Sequence, residues 1–198
     1  MQPSNSDNRD LKPSTLNFKL TLKAWPVIAA ATIGLCYLTQ TVAKWFGIDL
    51  GEQVTVEQMR LMGAETWKIL TQQGLHAALT QEVSLKFIIN IPLVIAVLPL
   101  LEECVFRGLL FRLPAAKLPF GRGPNRIAVC AVLSSALFSA AHYLQMPWPD
   151  NAFIALFFFG LAQCWLYKKT AHLWCAILNH GLFNLTNLVL LFILPEAA

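Results

Sequence analysis

The chain has 198 residues, of which 56% are hydrophobic and only 13% are charged. Soluble domains carry about 25% charged residues, so this composition points to lipid and disfavours a soluble protein. The net charge of +4 is modest, and basic residues are not clustered among aromatic ones, so a nucleic-acid partner is not expected.

Five apolar segments are long enough to cross a bilayer, which takes about 20 residues of helix. They cover roughly residues 24–46, 84–111, 127–146, 151–167 and 172–194. The second segment contains Pro92 and Pro99, which are expected to kink its helix and to free backbone carbonyls. The pattern predicts an all-α fold, a polytopic membrane helical bundle with about five spans.

The segments outside the spans differ in composition. Residues 1–23 are polar, and the apolar run after them is longer than a signal-peptide core of about 7–15 residues, so we interpret it as an uncleaved first span. Residues 47–83 mix charged and apolar side chains, as in an amphipathic helix that lies on the membrane or caps the bundle. We therefore predict a polar N-terminal segment, 1–23, and a single integral membrane domain, 24–198, with 47–83 as an amphipathic connecting segment.

Basic residues are distributed unevenly over the loops. Four fall in the N-terminal segment, four in the 112–126 loop and two in the 168–171 turn, whereas the short loop at 146–151 has none. Because cytoplasmic loops carry the excess of Lys and Arg, five spans with the N-terminus inside satisfy this distribution. We predict a multi-pass protein of a cell membrane, and the short loops favour a prokaryotic inner membrane.

Three ionisable residues interrupt the second apolar segment: Glu102, Glu103 and Arg107. Each charge would cost about 2.5–3.5 kcal/mol in a lipid-facing helix, so such groups face the bundle interior and usually mark function. Glu103 and Arg107 are four residues apart and can pair on one helix face, whereas Glu102 lies about 100° around the helix. We expect Glu102 to act as a general base and the Glu103–Arg107 pair to support it. The alternative is a salt bridge that only fastens helices together.

Two later spans carry histidines, His142 and His180. Phe138 lies four residues before the first, and Asn184 lies four residues after the second, so each shares a helix face with its histidine. At 1.5 Å per residue, Glu102, His142 and His180 lie about 15, 22 and 12 Å from the inner ends of their spans. A lone histidine in a helix is often a packing residue, but two histidines and an acidic pair at similar depth indicate one polar site.

The three motifs together resemble a known family. Residues 102–107 fit E-E-x-x-x-R, residues 138–142 fit F-x-x-x-H, and residues 180–184 fit H-x-x-x-N. In this order, on separate spans, they resemble the signature of the CPBP family of intramembrane peptidases. That family includes CAAX-type prenyl-protein endopeptidases and bacteriocin-processing or self-immunity proteins. The resemblance covers about residues 84–190, and the first 83 residues show none.

The chain departs from the family's usual pattern in one region. Cys164 occupies a position where a second small glycine is common, and Ala171-His172 replaces a common Gly-Ser. We interpret His172 as a variation at the membrane edge. The first 83 residues show no match and the family's larger members have more than five spans, so the resemblance bears on the chemistry more than on substrate preference.

The resemblance implies roles for the motif residues. Glu102 would activate a water for attack on a peptide carbonyl, with His142 assisting, while His180 and Asn184 would hold the developing oxyanion. Phe138 is a candidate substrate contact, and residues 84–194 would be the catalytic helices. The expected partners are membrane lipid and a membrane-associated protein or peptide. A prenylated substrate is not implied, and the sequence does not reveal the oligomeric state.

Several alternatives stay open. H-E-x-x-H is absent, and we favour a reaction that requires no cofactor. Zinc or another divalent metal on Glu102, His142 and His180 is the alternative, because two histidines and a glutamate form a known catalytic set. A non-catalytic immunity or scaffold protein could use the same cluster for packing and partner binding. A proton-coupled transporter is disfavoured because the chain lacks symmetric halves.

Overall fold

The computed structural model describes residues 15–48, 54–117, 124–143 and 152–193. All regular structure in these ranges is helical, which confirms the all-α prediction. The predicted orientation, with the N-terminus inside, depends partly on the composition of residues 1–14, 118–123 and 146–151, which lie outside the described residues. The helices and helical segments, in chain order, are α1 (Thr15–Trp45), α2 (Val54–Thr80), α3 (Glu82–Pro92), π1 (Leu93–Val97), α4 (Leu98–Glu103), π2 (Cys104–Arg112), α5 (Leu113–Lys117), α6 (Pro124–Tyr143), α7 (Ala152–Thr170) and α8 (Leu173–Ile193).

Within the described ranges, three helices are long and apolar enough to cross a membrane. They are Asn17–Trp45, Glu82–Ala115 and Leu173–Ile193. The two other predicted spans form α6, with 20 residues, and α7, with 19. Charged residues stand near the ends of both helices, Arg126 in α6 and Lys168 and Lys169 in α7, and the fold buries polar side chains along them, among them Ser135, Ser139 and Gln163. The count of five spans stays a prediction.

Residues 82–117, which we call the acidic helix, run without a break but switch to the wider π hydrogen-bond pattern in two segments. In π1 the Leu98 N–H donates to the Leu93 carbonyl, five residues back, and π2 begins immediately after Glu103. Such wide turns leave main-chain carbonyls that other helices can satisfy. One example is the Phe106 carbonyl, which accepts a hydrogen bond of 2.6 Å from Ser134 of α6.

The core lies where α6, α7 and α8 meet α1. Phe138, Phe159 and Phe183 form its centre, one from each of the three later helices, and Ile28 and Ala29 of α1 complete it. The approach between α6 and α7 is closest at Gly160, where an added Cβ would lie 2.9 Å from the Ser135 side chain. A glycine is therefore required at that contact.

Helix α2 packs against α3. Its backbone breaks at Gly74, whose φ of 86° is strained for other residues. Ile69 is buried, while Leu61 and Trp67 are more than half exposed. The expected helix in the 47–83 segment is thus present, and its position on the membrane surface stays a prediction.

The turn between α7 and α8 holds Ala171 in a left-handed conformation, with φ of 57°. Its N–H donates to the Tyr167 carbonyl at 2.7 Å, as at a helix C-terminus that usually ends in glycine. Because the left-handed region costs an L-residue about 1–2 kcal/mol, we expect Ala171→Gly to raise the free energy of unfolding by about 1 kcal/mol. Thermal unfolding in detergent would measure this.

The matched control is Ala162→Gly, in the interior of α7. There the backbone is helical, so glycine should lower the free energy of unfolding by about 1 kcal/mol. Equal destabilisation by both substitutions would contradict the left-handed turn at Ala171.

Candidate active site

Glu103 and Arg107 form a buried ion pair at the junction of α4 and π2. The Arg107 Nε atom lies 3.1 Å from Glu103 Oε2, and neither side chain is exposed. Arg107 also donates to the Gly160 carbonyl of α7 at 3.3 Å, and its guanidinium carbon lies 4.6 Å from the centre of the Phe138 ring. The ion pair predicted from the four-residue spacing is present, and it fastens the acidic helix to α6 and α7.

Glu103 has a second partner on α8. The Nδ1 atom of His180 lies 2.9 Å from Glu103 Oε1, and because a carboxylate only accepts, Nδ1 must carry the proton. Glu103 thus orients the imidazole in the way that carboxylates orient functional histidines. The sequence-based interpretation assigned Glu103 to the support of Glu102 and missed this contact, since nothing in either motif indicates it.

Glu102 lies between the two histidines. Its Oε1 atom is 3.7 Å from His142 Nε2, and its Oε2 atom is 3.6 Å from His180 Nε2. Both distances exceed the 2.7–3.2 Å range of a direct hydrogen bond. The Glu102 side chain is 24% exposed and that of His142 is 21% exposed, whereas Glu103 and Arg107 are sealed. The structure therefore brings three predicted site residues from three helices to one accessible point.

Phe138 lies beside both histidines of the site. Its carbonyl accepts a hydrogen bond from His142 Nδ1 at 3.0 Å, and its ring centre lies 4.4 Å from that of His142 and 5.8 Å from that of His180. The bond to the carbonyl fixes the His142 proton on Nδ1, so a neutral His142 directs the lone pair of Nε2 at Glu102. The Phe138 side chain is fully buried, and its predicted contact with substrate stays a prediction.

Asn184 lies one helical turn after His180 and contacts the acidic helix. Its amide nitrogen donates to the Val94 carbonyl at 2.8 Å. A primary amide has two N–H donors, so this bond leaves one for other partners. Its predicted role as an oxyanion donor stays a prediction.

The metal alternative gains nothing from the geometry. Over the described ranges, no group of three or more His, Cys, Asp or Glu side chains could hold a metal ion. The alternative of a divalent metal on Glu102, His142 and His180 stays a prediction.

Two features of α7 contribute to the site without belonging to its three motifs. The Gly160 carbonyl accepts from Arg107, and the Phe159 ring lies 5.1 Å from that of His180, centre to centre. The sequence signal that could have indicated them is the Phe158-Phe159-Gly160 stretch, in which a glycine directly follows large aromatic residues.

A comparison with protein families finds one match. The family model described as type II CAAX prenyl endopeptidase, Rce1-like, matches residues 84–186, which is just over half of the chain and contains every candidate site residue. No curated protein and no solved structure matches the chain.

Proposed function

The chain belongs to the Rce1-like family of type II CAAX prenyl endopeptidases, and we propose that it hydrolyses a peptide bond of a membrane-associated protein or peptide, with Glu102 as the general base. The observation that carries this proposal is the position of the Glu102 carboxylate, within 3.7 Å of Nε2 of both His142 and His180. A base must be accessible to its water, and Glu102 is accessible whereas Glu103 is not.

In the proposed reaction a water binds beside Glu102 and His142. The gap of 3.7 Å between the two side chains is too long for a direct hydrogen bond and suits groups that share a water. Glu102 takes one proton from the water as the water oxygen attacks the peptide carbonyl carbon. The C–N bond then breaks, and the proton passes from Glu102 to the departing amine. The new carboxyl group keeps the hydroxyl of the water, and Glu102 is regenerated.

The oxyanion that forms on the carbonyl would be stabilised by His180 and Asn184. His180 already donates through Nδ1 to Glu103, so donation through Nε2 requires the imidazolium form. At that stage Glu102 has taken the proton of the water, so the two negative charges, on Glu103 and the oxyanion, would be balanced by Arg107 and the imidazolium of His180. Such preorganised donors usually make the largest contribution to catalysis. Asn184 would use the N–H that Val94 leaves free.

We propose further that the reaction requires no metal and that the chain crosses a cell membrane several times, with its N-terminus inside. The three apolar helices support a membrane location. A prokaryotic inner membrane agrees with the short loops, and bilayer lipid surrounds the bundle.

Peptide cleavage by the purified protein tests the proposal. A library of quenched fluorescent peptides is added to the protein in detergent, with and without a strong chelator. We expect cleavage at the same rate in both, because water activation by a carboxylate needs no metal. Loss of activity with chelator, and its recovery on adding zinc, would overturn the metal-independent reaction. Absence of cleavage throughout the library, by folded protein, would favour the non-catalytic alternative.

A further inference from the structure

The Val94 carbonyl has no donor within its own helix. In an α-helix it would accept from the N–H of Leu98, but that N–H donates to Leu93. In the wider π pattern its donor would be residue 99, which is a proline and has no N–H. A buried carbonyl without a donor costs about 1–3 kcal/mol, so another part of the molecule must satisfy it.

Helix α8 supplies what the acidic helix lacks. Asn184 donates its side-chain amide to the Val94 carbonyl at 2.8 Å. Gly181, three residues earlier on the same face of α8, lies directly against the Ile95 carbonyl, and an added Cβ there would be 2.5 Å from that oxygen. In a regular α-helix the donor to Ile95 would again be residue 99. Both contacts of α8 therefore fall on the main chain that Pro99 disturbs.

These contacts lie close to the reacting groups. Asn184 is one helical turn from His180, and Val94 is two turns, about 12 Å, before Glu102. The His180 Nε2 atom and Glu102 Oε2 are 3.6 Å apart, a distance set by how α8 sits against the acidic helix.

We propose that Asn184 is a positioning residue, whose bond to the Val94 carbonyl replaces the main-chain bond that Pro99 removes and thereby fixes the spacing between Glu102 and His180. For its catalytic consequence this inference rests on the proposed peptidase function. It adds to the oxyanion role, because it uses the other N–H of the amide.

A double-substitution cycle with Pro99 tests the inference. Replacing Pro99 by alanine restores an N–H at residue 99, which in the π pattern reaches Val94. Asn184→Leu in the native background should lower Tm by about 3–6 °C and lower kcat about 10–100-fold with little change in KM. In the Pro99→Ala background, the same substitution should cost little Tm and should lower kcat less than in the native background, the remaining loss being that of the oxyanion donor.

Two matched variants serve as controls for this experiment. Asn187→Leu makes the same chemical change at an exposed position of α8 and should leave Tm and kcat unchanged. Pro92→Ala restores an N–H elsewhere in the acidic helix and should not relieve the loss caused by Asn184→Leu. Asn184→Val provides an arm independent of Pro99: its side chain has no donor for the Val94 carbonyl at any pH, so this variant should be about as destabilised as Asn184→Leu.

The outcomes separate the inference from the proposed function. An equal loss of Tm from Asn184→Leu with and without Pro99, or an Asn184→Val variant as stable as the native protein, would overturn the bond's structural role. Coupled Tm values without recovery of kcat would overturn the positioning role and leave Asn184 acting on the oxyanion alone. If the native protein cleaves no peptide, the proposed function fails, while the Tm cycle still decides whether Asn184 replaces the missing bond.

Discussion

Glu102→Gln should give a protein that folds as the native chain does and cleaves no peptide. Glutamine matches glutamate in shape but cannot take a proton from water, so kcat should fall by at least about 10²–10⁴-fold, the usual contribution of a general base. Because the Glu102 side chain is 24% exposed and makes no direct hydrogen bond to either histidine, Tm should change little. The measurement pairs kcat/KM on a cleaved peptide with thermal unfolding of the same preparation.

Glu82→Gln is the matched control for this experiment. Glu82 begins the acidic helix and forms only an exposed ion pair with Lys86, so its loss should affect neither activity nor stability measurably. Full cleavage by Glu102→Gln would remove Glu102 from the reaction. Retained biological function in both Glu102→Ala and His180→Ala would favour an immunity or scaffold protein that uses the cluster only for packing.

Arg107→Leu should be the most damaging single substitution for stability, lowering the free energy of unfolding by about 3–5 kcal/mol. The variant leaves the Glu103 carboxylate buried without its guanidinium partner, and it also removes the bond to the Gly160 carbonyl. Chemical or thermal unfolding in detergent would measure the loss. The double variant Glu103→Leu/Arg107→Leu should recover much of the stability, because an apolar pair of similar volume replaces the ion pair.

Activity should behave differently from stability in the double variant. Without Glu103 the His180 imidazole loses its Nδ1 partner, so cleavage should stay low even where the protein is stable. As a control, Lys86→Leu breaks an exposed pair with Glu82 and should change stability by less than about 1 kcal/mol. A stable Arg107→Leu variant would contradict the description of Glu103 and Arg107 as a sealed pair.

Much of the site follows from helical geometry within a single segment. The four-residue spacing predicts the pairing of Glu103 with Arg107, and the 100° rotation predicts that Glu102 points elsewhere. The cost of charge in lipid predicts that these groups, with His142 and His180, face inward. These inferences need only the periodicity of an α-helix and the low polarity of the surrounding lipid.

Contacts between distant segments could not be obtained in this way. Glu103 meets His180 across 77 positions of sequence, and that contact depends on how α8 packs against the acidic helix. The sequence predicts that proline frees carbonyls, but it does not reveal that Asn184 reaches the one at Val94. Similarly, the sequence does not reveal that polar residues of α6 and α7, such as Ser139 and Gln163, are buried within the bundle.

Glu102 and Glu103 are neighbours with the same side chain, yet the fold limits substitution at the two positions for different reasons. Shortening Glu102 to aspartate would draw back the carboxylate of the proposed base by one methylene, in a side chain that is 24% exposed. Shortening Glu103 would open a gap in a fully enclosed position and pull the carboxylate away from both of its partners at once, Arg107 and His180. Among natural relatives, substitutions at position 102 should therefore be limited by the need for a proton acceptor, and substitutions at position 103 by the volume of the enclosed site.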